Sequence, residues 1–381
     1  MAAIGGRANG PDRILVVNAG SSSLKLRVLD PDDEVVGSAD LPAPRGSTDA
    51  DAVAKAIGGL GAVDAVGHRI VHGGSQFASP VVLDRDVETR LRALTDLAPL
   101  HQPKSLAAVD AVKAVLPDVP AVACFDTAFH ATMPAAATTY ALPPEWRKRW
   151  DLRRFGFHGL SHAYATRRVT ELLGSGPAGG WRIVTCHLGA GASLAAVLDG
   201  RSVDTTMGFT PLEGLVMATR SGSVDPGLVL WLEEHARTPP AELAATLEHR
   251  SGLLGLAGTA DMRTIIDSAA AGEPDATLAL DVYIHRLRAG IASMAASLAG
   301  IDALVFTGGV GERAPVVRAR AAEGLGFVGD ELDAARNDDG ADDREIGADG
   351  AAVRTFVLVA REDLQIAHEV RGVLGGRVAT A

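Results

Sequence analysis

The sequence predicts an α/β protein with two similar domains, and three observations support this prediction. The chain has 381 residues, which is longer than most single hydrophobic cores can use. Short apolar runs typical of strands alternate with segments of helical periodicity, as in α/β folds. The stretch "ILVVNAGSSSLKLRVLD" at 14–30 also matches "IVTCHLGAGASLAAVLD" at 183–199 without a gap, which indicates an internal repeat.

Each predicted element follows from a local pattern. Strands are predicted at 14–17, 24–29 and 34–37, separated by a small-residue loop and a "DPDD" turn, which gives a series of hairpins. The stretch "PKSLAAVDAVKAVL" predicts a helix, and 273–300 predicts a long helix with Pro274 near its start and Gly300 past its end. "DALVF" and "TFVLVA" are typical of buried strands.

The composition narrows the class of protein. Hydrophobic residues make up 47% of the chain and charged residues 22%, which favours a folded protein with large cores. The net charge of -11 argues against a nucleic-acid or anionic membrane surface. No apolar run is long enough for a membrane span, and "MAAIGGRANGPD" lacks the apolar core of a signal peptide. Because Cys124 and Cys186 lie in apolar runs, we expect buried, reduced thiols and a cytoplasmic protein.

Three small-residue turns follow predicted strands. The repeat pairs Gly20 with Gly189 in the first two turns, and "FTGGVGE" at 306–312 gives the third. Backbone N–H groups in such turns can converge on an anion, and serine hydroxyls add donors. Any single turn could be an ordinary hairpin turn, but three at strand ends favour a nucleotide phosphate. None has the spacing of a Walker A loop or of a Rossmann fingerprint.

Residues of catalytic type recur in short blocks that are rich in glycine. A lone histidine or arginine in an apolar setting is more often a satisfied core or surface residue than a catalyst. Glycine, however, lets a ligand approach the backbone closely. Glycines that lie beside His, Arg and Asp in the sequence are therefore typical of an anion site. The blocks are "GHRIVHGG" (67–74), "LAPLHQP" (97–103), "FDTAFHATMP" (125–134), "RRFGFHGLSH" (153–162), "MGFTPLEGLVMATRSGSVDPG" (207–227) and "AREDLQIA" (360–367).

Several of these stretches together resemble the motifs of the acetate kinases and their propionate and butyrate kinase relatives: "NAGSSSLK", "GHRIVHGG", "FDTAFHATMP", "RRFGFHG", "DTTMGFTPLEG" and "FTGGVGE". The resemblance extends from about Ile14 to Ala367. It implies two duplicated ribonuclease-H-like domains of the actin, sugar kinase and Hsp70 superfamily, with ATP in the cleft between them. The implied domains are 1–131 with 363–381, closed by the C-terminal helix, and 132–362, which binds nucleotide.

The resemblance implies an enzyme that reversibly transfers a phosphoryl group from ATP to acetate, giving acetyl phosphate and ADP. A kinase for propionate or another short-chain acid is the nearest alternative. A nucleotide-binding regulator without catalysis is a remoter one, and the retained charged residues argue against it. A sugar kinase has no use for the arginine of "HRIVHGG". The family forms homodimers, and the predicted helix at 276–299 is a candidate for that interface.

The same resemblance implies a metal site and nucleotide contacts. Asn18 and Glu362 hold Mg²⁺, for which Mn²⁺ could substitute. In the first phosphate loop, the implied residues are Ser21, Ser22, Ser23 and Lys25. The other nucleotide residues are His187, Leu188, Gly189, Ala190 and Gly191 in the second phosphate loop, Asp261, Met262 and Arg263 in "DMR", and Gly309, Val310, Gly311, Glu312 and Arg313 in "GVGER".

Four charged or polar residues carry the implied chemistry. Arg69 corresponds to the arginine that grips the substrate carboxylate. His158 and Arg220 correspond to the pair that stabilises the equatorial oxygens of the transferring phosphoryl group. Asp126 corresponds to the catalytic aspartate, which either orients the acyl substrate or acts as a base. A carboxylate substrate is already ionised at neutral pH, so orientation is the preferred role.

The remaining implied residues concern the acyl group and the family's departures. Val71, Leu100, Phe157 and Pro211 form the implied acyl pocket, although each could be an ordinary core residue, and His101 and His187 are supporting residues. Ala190 stands where the family usually has asparagine, Ala218 where it has glycine, and Arg361 directly precedes Glu362. We expect these three residues to affect nucleotide choice, metal affinity and turnover.

Overall fold

The structure is a computed structural model that describes residues 10–20, 23–42, 50–97, 102–338, 340 and 342–376. The chain divides into two compact units, of which unit 1 comprises Met1–Phe129 and Arg361–Ala381 and unit 2 comprises His130–Ala360. Four of the residues named from the sequence, Ser21, Ser22, Leu100 and His101, lie outside the described residues.

Unit 1 is built on a six-stranded mixed sheet with the strand order β3-β2-β1-β4-β6-β5. Strand β1 pairs with β2 in antiparallel and with β4 in parallel fashion, and β4 is parallel to β6. The strands are β1 (Ile14–Ala19), β2 (Ser23–Leu29), β3 (Val35–Pro42), β4 (Ala65–Ile70), β5 (Val81–Val82) and β6 (Ala121–Phe125). The first helices are α1 (Ala50–Leu60), α2 (Arg85–Ala93) and α3 (Gln102–Val115).

Unit 2 contains a second six-stranded sheet, with the strand order β11-β12-β10-β7-β8-β9. Its strands are β7 (Arg182–Leu188), β8 (Ala192–Leu198), β9 (Arg201–Thr205), β10 (Ala303–Thr307), β11 (Arg344–Glu345) and β12 (Arg354–Val357). Its helices are α4 (Ala135–Thr138), α5 (Pro144–Trp150), α6 (Gly159–Leu173), α7 (Pro226–Glu234), α8 (Pro240–His249), α9 (Gly252–Ala257), α10 (Met262–Ala270), α11 (Pro274–Ser297), α12 (Gly308–Arg313), α13 (Pro315–Glu323) and α14 (Ala334–Asp338).

The two sheets have the same topology, which confirms the predicted repeat and the α/β class. In each sheet the third, second and first strands lie side by side, and the fourth, sixth and fifth strands follow. The repeat is not gapless, however. The last pair of the first hairpin is Ala19 with Leu24, whereas the last pair of the second is Leu188 with Ala192. The first loop is therefore one residue longer, and an ungapped alignment places one strand of the hairpin out of register.

The predicted helices α3 and α11 are confirmed, and Pro274 occupies the first turn of α11. The prediction of a loop at "FTGGVGE" is wrong, because α12 begins at Gly308, directly after β10. Gly308 has φ +79, and a Cβ there would lie 2.8 Å from the carbonyl oxygen of Leu188. Glycine at this position lets the chain pass from strand to helix without an intervening loop.

The C-terminal helix α15 (Glu362–Leu374) packs against the sheet of unit 1. Its approach to β4 is very close, since a Cβ on Gly67 would lie 2.4 Å from Cγ2 of Ile366. This packing fixes the first residue of the helix, Glu362, near the end of the sheet. Cys124 and Cys186 are buried free thiols, as predicted. Across the described residues, no helix combines the length and apolarity that a membrane span requires.

Candidate active site

Four side chains meet at one end of the sheet in unit 1. Asn18 lies near the end of β1, Arg69 near the end of β4, Asp126 follows β6, and Glu362 begins α15. Arg69 donates from Nη2 to Asp126 Oδ2 at 2.6 Å and from Nε to Oδ1 at 3.1 Å. Its Nη1 donates to Asn18 Oδ1 at 3.2 Å, and Asn18 Nδ2 donates to Glu362 Oε2 at 2.8 Å. The parallel strands β1, β4 and β6 end together, and this brings the residues into one connected set.

Burial makes the charges of this set depend on one another. The Asp126 carboxylate is 1% exposed, and burial raises its pKa, against the opposing attraction of Arg69. Burial also acts against the charge of Arg69, but Asp126 and Glu362 hold the pKa of its guanidinium above the ordinary value. A bidentate arginine–carboxylate pair is strong and fixed in direction. Asp126 therefore holds Arg69 in place and leaves part of the guanidinium edge for another anion.

The donor set of unit 1 suits a hard divalent cation. Asn18 offers an amide oxygen and Glu362 a carboxylate, and oxygen ligands are those that Mg²⁺ and Mn²⁺ prefer. No group of three or more His, Cys, Asp or Glu side chains arranged for a metal occurs in the described part of the chain. Mg²⁺ commonly keeps several waters and takes only one or two protein carboxylates with substrate phosphates, so the two residues fit such an ion.

Lys25 and Ser23 lie beside Asn18. Lys25 is exposed on β2 and pairs in register with Asn18 on β1. The carbonyl oxygen of Ser23 accepts a hydrogen bond from the N–H of Gly20 at 2.8 Å, which closes the small-residue turn. An ammonium group in this position can attract phosphate without displacing any contact of the set.

In unit 2, His158 occupies a strained position directly before α6. Its φ of +56 is in the left-handed region, which is uncommon for residues other than glycine. Its Nδ1 is 2.9 Å from Ser193 Oγ, and its ring lies 4.4 Å from the ring of His187, measured between centroids. His187 Nδ1 is in turn 2.7 Å from Ser161 Oγ. These contacts fix the imidazole of His158 and leave its Nε2 facing Gly191.

A buried layer supports this histidine, and sequence reasoning did not predict it. His162 Nε2 is 2.8 Å from the same Ser193 hydroxyl that contacts His158, and its Nδ1 is 2.7 Å from Thr185 Oγ1. Burial lowers the pKa of His162 well below its ordinary value, so its ring is neutral at physiological pH. The available signal was the presence of His162 in the same glycine-rich block, 153–162, that contains His158.

Arg220 lies next to the same turn. A Cβ on Gly191 would be 3.1 Å from Nε2 of His158 and 3.4 Å from Nη1 of Arg220, so the imidazole and the guanidinium flank this glycine. Arg220 Nη1 donates to the carbonyl oxygen of Pro211 at 3.3 Å. Burial lowers the pKa of Arg220, and the carboxylate of Glu248, 3.9 Å from its Nε, opposes that effect. Both the carbonyl oxygen of Pro211 and the carboxylate of Glu248 therefore lie close to the guanidinium.

The dense motif around 207–217 is held by a structural ion pair. Arg154 Nη2 donates to Glu213 Oε1 at 2.6 Å, and Tyr140 donates to Glu213 Oε2 at 2.6 Å. Arg154 Nη1 also donates to the carbonyl oxygen of Met207 at 3.0 Å. These residues of "RRFGFHG" and "TPLEG" therefore maintain the loop that precedes Arg220 rather than presenting a charge for catalysis.

A cavity of about 540 Å³ in unit 2 is lined by eight of the thirteen nucleotide residues that the sequence predicts in this unit. The predicted residues that line it are Gly189, Ala190, Asp261, Met262, Arg263, Gly309, Val310 and Arg313. Tyr283 also lines the cavity, and its buried hydroxyl has no hydrogen-bond partner among the described residues. The sequence did not predict Tyr283, because it lies within the amphipathic pattern of α11. An unsatisfied buried hydroxyl is costly unless a ligand or water pairs with it.

Five other predicted nucleotide residues do not line this cavity. Leu188 and Gly311 are buried in β7 and α12, because their positions face the core. The carboxylate of Glu312 accepts a hydrogen bond from the N–H of Ala360 at 3.0 Å, which turns it away. His187 and Gly191 lie instead beside His158.

The residues of the predicted acyl pocket are divided between the units. In unit 1, Val71 is buried, but β4 ends at Ile70, so strand alternation alone does not place Val71 on the face of Arg69. In unit 2, Phe157 is buried, and the carbonyl oxygen of its backbone is 3.1 Å from Nε2 of His130. Pro211 is half-buried and contacts Arg220 through its carbonyl oxygen.

The three residues that differ from the family pattern lie in two parts of the structure. Ala190 and Ala218 both line the 540 Å³ cavity, and the N–H of Ala218 donates to the carbonyl oxygen of Ala190 at 3.1 Å. Arg361 pairs with Asp363, at 2.9 Å between Nε and Oδ1. Much of the positive charge of Arg361, which lies beside Glu362, is therefore directed to the carboxylate of Asp363.

Comparison with known proteins places the whole arrangement in one family. A model of the Acetokinase family matches residues 48–368. The acetate kinase of Nostoc punctiforme is 46% identical over 329 residues, which cover 86% of this chain and 81% of that protein. The crystal structure of Porphyromonas gingivalis acetate kinase has a TM-score of 0.87 at 35% identity, covering 95% of this chain and all of that one. A propionate kinase from Francisella tularensis has a TM-score of 0.88 at 32% identity, with 95% of this chain covered and all of the other. Because these matches span most of its length, the chain belongs to the acetokinase family of carboxylate phosphotransferases.

Proposed function

We propose that the protein transfers the γ-phosphoryl group of ATP to acetate. In the reverse direction, it transfers the phosphoryl group of acetyl phosphate to ADP. The observation that carries this proposal is the pair of half-buried Arg69 and buried Asp126 at the strand ends of unit 1. A fixed guanidinium is the group that binds a small carboxylate most selectively. The family membership supports the reaction class.

In this proposal the acceptor carboxylate binds to Arg69, and Asp126 acts by orientation. The acid is ionised at neutral pH, so no proton has to be removed before it attacks phosphorus. Asp126 accepts hydrogen bonds from both Nε and Nη2 of Arg69, which fixes the plane of the guanidinium. Arg69 and Asp126 contribute to the rate by positioning one reactant, and positioning accounts for a large part of catalysis in phosphoryl transfer.

Asn18 and Glu362 are the residues that would hold Mg²⁺, or Mn²⁺ in its place. When bound, the ion neutralises charge on the nucleotide phosphates. Lys25, which pairs in register with Asn18, adds a further positive charge on the same side of the hairpin. The proposal also assigns phosphate contacts to three consecutive serines, Ser21, Ser22 and Ser23.

His158 and Arg220 are proposed to stabilise the charge that develops on the transferring phosphoryl group. They flank Gly191, where an added methyl group would meet both side chains. Electrostatic stabilisation by oriented donors is usually the largest single contribution to such a reaction. The nucleoside is proposed to occupy the cavity that Tyr283 and Gly309 line.

The choice of acid is the finer part of the proposal. Relatives named as acetate kinase and one named as propionate kinase are both similar to this chain, so their names alone favour neither acid. We favour acetate, because Val71 is a buried β-branched residue two positions after Arg69 and would shorten an alkyl pocket. Propionate is then a poorer substrate but is not excluded.

We also propose a homodimer and a cytoplasmic location. Helix α7 has no buried residue and leaves Leu228, Leu230 and Trp231 exposed, so it is a better candidate for contact with a second copy than the half-buried α11. The two buried thiols are compatible with a reducing compartment. Sedimentation of the wild type and of Leu230→Glu tests the dimer: we expect a monomer only in the variant.

The test of the reaction is the formation of acyl phosphate, trapped by hydroxylamine as a hydroxamate. Acetate, propionate and butyrate are each supplied with Mg²⁺ and ATP. We expect product with acetate first and propionate second. Absence of product with all three acids, while ATP still binds, would favour a regulator. Product with butyrate above acetate would contradict the proposed substrate.

A further inference from the structure

A second cavity lies in unit 1. It is lined by none of the site residues discussed above. It measures about 260 Å³ and lies between the sheet at β4, β5 and β6 and the helices α2 and α3. Its apolar wall includes Val66, Val82, Leu83, Val109, Val112 and Leu116. The cavity is therefore in the hydrophobic layer beneath α3, on a face of the sheet that α15 does not cover.

One polar side chain forms part of this apolar wall. His68 lies in β4, is 2% exposed and lines the cavity. By strand alternation it projects to the same face as Val66 and Ile70, which pack against residues of α3. Its Nδ1 is buried and has no hydrogen-bond partner among the described residues. A buried ring nitrogen without a partner is costly, and a core that needed only volume could use leucine here.

The charge of this cavity limits what it can take. Burial lowers the pKa of His68 to about 3, so the ring is neutral and offers one N–H donor and one acceptor nitrogen. The other ionisable groups along the wall are Glu88, Lys113 and Asp118. Glu88 and Lys113 form an ion pair, and Asp118 leaves the wall with an excess of negative charge. An anion, including a short-chain carboxylate, is disfavoured at this position.

We propose that this cavity is a binding site for a small apolar molecule that carries one uncharged hydroxyl group, which pairs with the imidazole of His68. A cavity of roughly 150 Å³ lined by apolar side chains accepts benzene, so this larger cavity accommodates a phenol. The apolar ring contacts the valine and leucine side chains, and the hydroxyl pairs with a nitrogen of the imidazole. The site is independent of the phosphoryl-transfer residues, and its test does not require kinase activity.

The experiment measures binding of phenol and of toluene, which have similar shapes but differ in the hydroxyl group. The full chain is titrated with each probe by calorimetry, for the wild type and for His68→Leu. The relative affinity for phenol over toluene should fall by a factor of roughly three to ten in His68→Leu, since a neutral hydrogen bond is lost. An unchanged ratio, or no saturable binding of either probe to the wild type, would overturn the proposal.

A second variant tests the location without altering the histidine. Val82 lines the cavity from the edge strand β5 and is 41% exposed, so Val82→Trp should close the cavity without disturbing the core. Val36→Trp is the matched control, because Val36 is 48% exposed on β3, the opposite edge of the same sheet. We expect loss of phenol binding only in Val82→Trp. Phenol binding that survives this change, or that disappears equally in Val36→Trp, would refute the assignment.

Discussion

At the residue scale, the backbone of His158 departs from the conformation that most residues adopt. A left-handed conformation outside glycine costs on the order of 1 to 3 kcal/mol and persists only where surrounding contacts impose it. Here the contacts are the Ser193 hydroxyl and the ring of His187, and His162 in turn fixes Ser193. Strain of this kind is found at functional sites, where it orients a side chain before the substrate arrives.

The proposed role of His158 and Arg220 predicts a specific kinetic effect. His158→Ala and Arg220→Ala should each lower kcat by roughly 10²- to 10³-fold, as the loss of an oxyanion donor does. The KM values should change much less, because the contacts strengthen only as charge redistributes. Steady-state kinetics with acetate and ATP provide the measurement. A fall in kcat of ten-fold or less in both variants would mean that other residues stabilise the phosphoryl group.

The acyl pocket can be tested at Val71. Shortening this side chain to alanine should lengthen the pocket, so kcat/KM for propionate and butyrate relative to acetate should rise by roughly ten-fold, about 1.4 kcal/mol. The KM for ATP should remain at the wild-type value. Measuring kcat/KM for the three acids in both proteins decides the matter, and an unchanged ratio would remove Val71 from the pocket.

At the element scale, the turn between β7 and β8 acts through its lack of side chains. Gly191 lies against both His158 and Arg220, and an added methyl group would be tight against the imidazole, at 3.1 Å from Nε2, and in ordinary contact with the guanidinium, at 3.4 Å from Nη1. The first hairpin has one more residue in its turn, so the two repeats do not present the same loop. The repeated architecture therefore supports two different local environments.

Gly191→Ala tests the function of this turn. The new Cβ would lie 3.1 Å from His158 Nε2, so the histidine must shift by a few tenths of an ångström. We expect kcat to fall roughly ten-fold, since small displacements of a catalytic group are costly, while the melting temperature stays near the wild-type value. Gly372→Ala is the control, because a methyl group there meets no atom within 4 Å. Full activity in Gly191→Ala would show that the turn does not position the histidine.

Local patterns in the sequence predicted the elements well where a single segment determines them. Hairpins and the helices α3 and α11 follow from alternation, small-residue loops and proline placement. The helix at Gly308 was missed because three glycines are typical of a loop, whereas close packing against Leu188 selects a helix. The support of His158 by Ser193 was not predictable, because it joins segments that are distant in the chain and meet only in the fold.

At the scale of the whole molecule, the duplicated sheet carries two separate sets of residues. Unit 1 holds the arginine–carboxylate set with the proposed metal ligands, and unit 2 holds the histidine cluster and the proposed nucleotide cavity. The predicted boundaries after residues 131 and 362 stay a prediction, and the compact units divide after Phe129 and Ala360. The family motifs identified most of these residues before the structure, but not Tyr283 or His162.

The central claim is that the acceptor carboxylate binds to Arg69 in unit 1 and that the nucleoside binds in the cavity of unit 2, and crossed kinetics test it most directly. The measurement is the KM for acetate and for ATP in Arg69→Ala and in Gly309→Leu, where the new side chain would extend into the nucleotide cavity without meeting another atom at its Cβ. Loss of a charge-assisted contact predicts a rise of roughly ten-fold or more in the KM for acetate in Arg69→Ala, with that for ATP little changed. Gly309→Leu should show the reverse pattern. Equal increases in both KM values in Arg69→Ala, or a selective increase for acetate in Gly309→Leu, would contradict the assignment of the acceptor carboxylate to Arg69 and of the nucleoside to the cavity of unit 2.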